Sequence, residues 1–113
     1  MYEKLEIREL INYPGYYIGE NGTVYHENCY GELTVRQWDT STGYPRVKIK
    51  AAGSVSRKNV YVSHLVASEF LPPHPKWKHY IWYIDGNPMN CYANNLTWMS
   101  PSEIQRYSKY VRH

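Results

Sequence analysis

Phenylalanine is almost missing from this chain, with one copy, and cysteine is scarce, with only Cys29 and Cys91. Two thiols make neither a disulfide framework nor a four-cysteine zinc site, so both read as reduced and structural. No apolar run approaches the ~20 residues that cross a bilayer, so no transmembrane helix and no membrane partner are expected. The opening Met1-Tyr2-Glu3-Lys4-Leu5-Glu6 lacks a basic stretch followed by an apolar one. It therefore predicts no secretory leader, and localisation in the cytoplasm. Charge of one sign is weak as well. A formal net charge of +3 permits a nucleic-acid partner without requiring one.

What the chain has instead is tyrosine and tryptophan, 13 and 4 copies. Each joins a flat apolar face to a polar tip, which suits a β-rich core, an interface or a base-stacking surface. Hydrophobic residues at 42% and charged residues at 20% exclude a disordered chain. The length of 113 residues fits one compact domain with a core of its own.

The first half alternates short β-prone runs with turn residues. Residues 3–11 fit a strand or a short helix, and Tyr13-Pro14-Gly15 turns the chain. Tyr16-Tyr17-Ile18 and Thr23-Val24-Tyr25 flank a hairpin signal at Glu20-Asn21-Gly22. Leu33–Trp38 reads as a strand. Arg46–Lys50 alternates with period two, placing Val47 and Ile49 on one face and Arg46, Lys48 and Lys50 on the other. A loop through Arg57 leads to a strand at Val60-Tyr61-Val62. In the second half Ser63 reads as the N-cap of a helix over 64–70, which Pro72-Pro73-His74-Pro75 ends. A β-run follows at Tyr80–Ile84, closed by Asp85-Gly86-Asn87-Pro88, then a polar loop, and an extended Leu96–Met99. Ser100-Pro101-Ser102-Glu103 is a capping box with proline in the first helical position. It opens a last helix with Ile104, Tyr107 and Val111 on one stripe. The fold class is α+β: a β-rich N-terminal module over 1–55, then a strand–loop–strand–helix unit over 56–113.

Several separated motifs carry a resemblance. His64-Leu65-Val66-Ala67-Ser68-Glu69-Phe70-Leu71-Pro72, Ile84-Asp85-Gly86-Asn87 and Asn94-Asn95-Leu96-Thr97-Trp98-Met99-Ser100 resemble the HNH endonucleases of phage and mobile introns. Tyr13-Pro14-Gly15-Tyr16-Tyr17-Ile18 with Gly22-Thr23-Val24-Tyr25 resembles the small module that often precedes that nuclease domain, and Gly43-Tyr44-Pro45-Arg46-Val47 the strand after it. The resemblance implies a ββα-metal unit. There a histidine acts as general base on water, an Asn, Asp or His holds a divalent cation, and a middle asparagine braces the loop.

At the positions where the resemblance places the first ligand and the general base, this sequence has Trp82 and Tyr83. Indole offers no lone pair to a hard cation, and a phenol near pKa 10 is a poor base at neutral pH. The middle asparagine is kept as Asn95, twelve residues after Tyr83. The last ligand position, just after Glu103, holds Ile104. Gln105 reaches that position only with an extra loop residue. His79 lies four residues before Tyr83, roughly 13 Å away along a strand. The sequence therefore predicts no catalytic residue, no metal ligand and no cofactor.

Each remaining candidate has two uses. Trp82, Tyr83 and Ile104 fill the vacated site as core, or line it as a binding cleft. Adjacent strand residues face opposite ways, so only Tyr83 is expected to enter the cleft. His64 packs against the site or contacts a ligand. Asp85 with Gly86 is a turn or a carboxylate source, and a relocated set of His64, His79 and Asp85 would restore a metal-dependent endonuclease. Arg46, Lys48 and Lys50, with Arg57 and Lys58 from the next loop, form a solvated face or a phosphate rim. Arg106, Lys109 and Arg112 complement the helix C-terminus or extend that rim. The reading favoured is a phage-encoded, non-catalytic binder of nucleic acid or a small nucleotide, for instance one that sequesters a host defence signal. The alternatives are a protein-docking inhibitor of a host enzyme and the relocated enzyme. A homo-oligomer is compatible with each.

Overall fold

The structure, a computed structural model, describes residues 5–74, 76 and 80–111, with 107–111 as backbone. His79, the side chains of Tyr107, Lys109 and Val111, and residues Arg112 and His113 lie outside the described residues. The elements run β1 (Ile7–Glu9), β2 (Tyr16–Gly19), β3 (Val24–Glu27), β4 (Leu33–Arg36), β5 (Arg46–Ile49), β6 (Lys58–Tyr61), α1 (Val62–Phe70), β7 (Tyr80–Tyr83), a 3-10 turn (Ala93–Asn95), β8 (Leu96–Met99) and α2 (Pro101–Val111). The first four strands form an antiparallel meander in the order β1-β2-β3-β4, and β5-β6 and β7-β8 are separate hairpins. The architecture is mixed α+β, as the sequence predicts. Among the described residues no helix is long and apolar enough to cross a membrane.

The core follows from period-two alternation. Tyr16 and Ile18 point inward from β2 while Tyr17 between them does not, and Val47 and Ile49 do the same on β5. They meet Val24, Val62, Val66, Cys91 and Leu96 in one cluster of buried side chains drawn from both halves of the chain. The β5–β6 hairpin, with Val47 opposite Val60, straddles residue 55, where the sequence pattern divides the chain.

Of the element boundaries that differ from the sequence expectation, two have a visible cause in the structure. The strand from Leu33 stops at Arg36 rather than at Trp38. Trp38 leaves the sheet because its indole Nε1–H donates to the Gly22 carbonyl, 3.1 Å away in the β2–β3 turn. The first helix begins at Val62, so Ser63 is not its N-cap. Strand β6 ends at Tyr61, and the Val62 amide donates to the Pro45 carbonyl at 3.0 Å, carrying the chain from hairpin into helix. Tyr61 caps the helix without a side-chain hydrogen bond, and Ser63 is buried within the first turn. The second helix begins as its sequence dictates. The Glu103 amide donates to Ser100 Oγ and the Ser100 amide to Glu103 Oε1, both at 3.2 Å, the reciprocal pair of a capping box.

Candidate functional site

The β7–β8 hairpin and α2 make a strand–loop–strand–helix unit whose loop is held by one asparagine. Asn95, 6% exposed, accepts the Asp85 amide on Oδ1 at 3.0 Å. Its Nδ2 donates to Asp85 Oδ1 and to the Asn90 carbonyl, each at 2.9 Å. Asp85 Oδ1 also accepts the Asn87 amide at 2.8 Å, and Oδ2 accepts Asn90 Nδ2 at 2.9 Å. Both carboxylate oxygens are thus engaged within the loop. These bonds, the one from Asn90 foremost, hold the Asp85 carboxyl below its ordinary pKa. Asp85 is a turn former here, with Gly86 at φ +76° supplying the left-handed residue.

Beside this loop lies an aromatic cleft with two joined concavities. Tyr83, the last residue of β7, lines both, together with Tyr44 and Ile81. The first, about 390 Å³, adds Tyr61, Ser63, His64 and Tyr80. The second, about 320 Å³, adds Trp82, Pro88 and Ile104. The rings of Tyr44 and Tyr83 lie 6.2 Å apart at 44°, and those of Tyr61 and His64 5.9 Å apart at 38°. Tyr83 is half-buried. Loss of water raises its phenol above the ordinary pKa, and a hydrogen bond with Ser63 opposes that rise. Ser63, expected as a cap, instead lines the cleft with Tyr83. His64 keeps an open edge, and desolvation on its packed side lowers its imidazole pKa.

The structure brings Trp82, Tyr83 and Ile104 together and sets His64 on the far side of Tyr83, with Asn95 bracing the loop. It corrects one expectation, because Trp82 and Tyr83 both line the cleft. Among the described residues β7 pairs with β8, and the concavity at its end takes in both side chains beside Gly86, Pro88 and Ile104. Tyr44, Tyr61 and Tyr80 are cleft residues that sequence reasoning missed. Their only sequence signal is the surplus of tyrosine.

The predicted basic rim divides. Arg46 is tied to Asp39 by an ion pair of 3.0 Å and lines one concavity with Lys48 and Arg36. Asp39 is held down to about 2, first by the Ser41 amide. Lys50 and Arg57 line a different concavity. Lys58 begins β6, opposite Ile49, and Arg106 stands exposed on α2.

Comparison with solved structures finds one described as "DNA binding and cleavage by the HNH homing endonuclease I-HmuI", with a TM-score of 0.73 and 25% sequence identity. The match covers 95% of this chain and 59% of that one. The fold is HNH-like. This chain spans about 59% of the length of that neighbour. No family model matches the sequence, and no curated protein matches it.

An HNH-like fold implies a divalent cation between hairpin and helix, and the side chains here do not fit one. The positions at which the sequence resemblance expects the general base and the ligands hold a phenol, an indole and an alkane, none of them a suitable donor for a hard cation. The neighbouring Asp85 oxygens are spent on the loop. Among the described residues no three His, Cys, Asp or Glu side chains cluster as a metal site.

Proposed function

We propose that this protein binds nucleic acid, or a small nucleotide, without cleaving it, and that a base lies in the aromatic cleft at Tyr83. One observation carries the reading. The Asn95 brace is complete, while Trp82, Tyr83 and Ile104 stand together where hydrolysis would need an imidazole and cation ligands. A cleft walled by Tyr44, Tyr61 and Tyr83 offers flat faces to a planar heterocycle, and stacking on one ring is worth about 1–3 kcal/mol per base. The HNH-like fold of a neighbour described as binding and cleaving DNA supports nucleic acid as the ligand class. The finer reading is a phage-encoded protein that occupies DNA or sequesters a nucleotide signal.

Two assays test it. Supercoiled plasmid incubated with Mg²⁺ or Mn²⁺ stays unnicked. Robust nicking lost in His64→Ala or Asp85→Asn would establish the relocated enzyme instead. A thermal-shift screen with nucleotides and oligonucleotides shows stabilisation by at least one of them, and Tyr83→Ala loses it. A second reading, docking on a protein, draws on Tyr30, 83% exposed, beside the exposed Leu33 and Val35 of β4. Silence across the screen together with a stoichiometric protein complex through that face would favour it.

A further inference from the structure

Away from the cleft, the loop joining β5 to β6 closes over the β2–β3 hairpin. Ile49 pairs with Lys58 as the last rung of the hairpin, so Lys50 and Arg57 flank the start and end of this loop, and both line the same concavity. The Ala52 amide donates to the Asn12 carbonyl at 3.1 Å and pins the loop down. The result is a concavity of about 500 Å³, within the range that holds a small ligand. Its mouth is Lys50 and Arg57, its floor the cross-strand pair Tyr16 and His26, whose rings lie 4.5 Å apart. Among the described residues no carboxylate lines it. Unlike Arg46, neither Lys50 nor Arg57 is in an ion pair among the described residues.

We infer that this concavity is a phosphate-binding subsite, in which Lys50 and Arg57 clamp one phosphoryl group over His26. The inference rests on the nucleic-acid reading above and adds a second contact point to it. A point charge opposite a planar guanidinium fork suits a tetrahedral oxyanion. The floor does not suit a base: Tyr16 is only 4% exposed, with His26 against its ring. The phosphoryl group belongs to a nucleic-acid strand or to a free nucleotide, and the two sources are separable.

The experiment is anisotropy of a fluorescent single-stranded oligonucleotide on the whole protein between about 50 and 200 mM salt. Losing the one phosphate that both side chains hold, in Lys50→Gln/Arg57→Gln, lowers the slope of log affinity against log salt by about 0.7 and weakens binding about tenfold at the low-salt end. Arg46→Gln, whose guanidinium already has a carboxylate, leaves the slope nearly unchanged. Tyr83→Ala lowers affinity at every salt concentration with the slope intact. Both loop residues are exposed, and an unchanged thermal melt checks that the double variant is folded. Displacement of the oligonucleotide by a mononucleotide at matched phosphate concentration identifies the free nucleotide as the source. Failure of that displacement identifies the strand. A folded double variant that binds with the wild-type slope overturns the subsite and leaves the cleft reading standing. Equal displacement by polyglutamate overturns phosphate selectivity. Wild-type protein that binds neither oligonucleotide nor mononucleotide overturns the subsite and the proposed function together.

Discussion

The loop from Asp85 to Asn95 and the cleft at Tyr83 share one hairpin, but their materials differ. In the loop, Asn95 alone takes part in three side-chain hydrogen bonds, and both oxygens of Asp85 are occupied. In the cleft the walls are phenol, indole and alkane. An HNH-like loop whose polar groups satisfy one another needs no cation to hold its shape. Scaffold and chemistry are then separable: the donors around a cation can be exchanged while the brace, whose partners all lie in the loop, stays intact.

That separation fails first where the loop meets the N-terminal sheet. The Ala93 amide donates to the Glu20 carbonyl at 2.8 Å, and Gly22 sits at φ +91° against the loop. A β-carbon at Gly22 would lie 2.9 Å from Cys91 Cβ and 3.2 Å from Trp38 Cζ2, in a backbone region costly for any L side chain. Gly22→Ala is expected to lose about 3 kcal/mol in urea unfolding, more than removal of the brace or of the Tyr83 ring. A loss below about 1 kcal/mol would mean that sheet and loop are not packed as one body.

Asn95→Ala comes next. It removes the acceptor of the Asp85 amide and the donor to the Asn90 carbonyl, for about 2–3 kcal/mol of stability. If brace and cleft are separable, the folded fraction still binds an oligonucleotide through Tyr83. Abolished binding in a demonstrably folded Asn95→Ala protein would show that the brace shapes the cleft directly. Tyr83→Ala tests the other side of the comparison. It costs about 1–3 kcal/mol in base binding, while Tyr83→Phe, which keeps the ring, retains most of it. A Tyr83→Phe protein as weak as Tyr83→Ala would point to the hydroxyl and Ser63, not to stacking.

The brace is more legible in the sequence than the cleft, for a physical reason. The resemblance places the bracing asparagine at Asn95, twelve residues after Tyr83, and the capping box at Ser100 and Glu103 is local chemistry written in four consecutive residues. Alternation places Val47 and Ile49 inward because a strand's period needs no knowledge of its neighbours. Tyr44 and Tyr61, by contrast, reach Tyr83 from across the chain, and no local period encodes that meeting. The same limit splits the basic face. Arg46, Lys48 and Lys50 share a face only while the strand lasts, and β5 ends at Ile49. Ser63 resembles a cap in sequence because the hydrogen bond that starts α1 goes to Pro45, on another element.

The smallest effect concerns acid. The native carboxyl of Asp85 titrates below its unfolded value, near 3.9, because the loop's hydrogen bonds favour the charged form. The sign follows: the unfolded chain takes up the proton first. The contribution of Asp85 is therefore complete well above about pH 4 and fades as pH falls through the depressed native value. Asp39, held down to about 2 by Ser41 and Arg46, loses its contribution in the same direction. The two are separated by substitution. The urea midpoint of wild-type protein should fall between about pH 6 and pH 3, and Asp85→Asn should flatten that fall while Asp39→Asn leaves the Asp85 share in place. Because the cleft walls carry no carboxylate among the described residues, base binding by the folded protein should not follow the Asp85 titration. A binding curve that tracked the Asp85 midpoint would tie the loop's charge to the cleft and end the separation of brace from site.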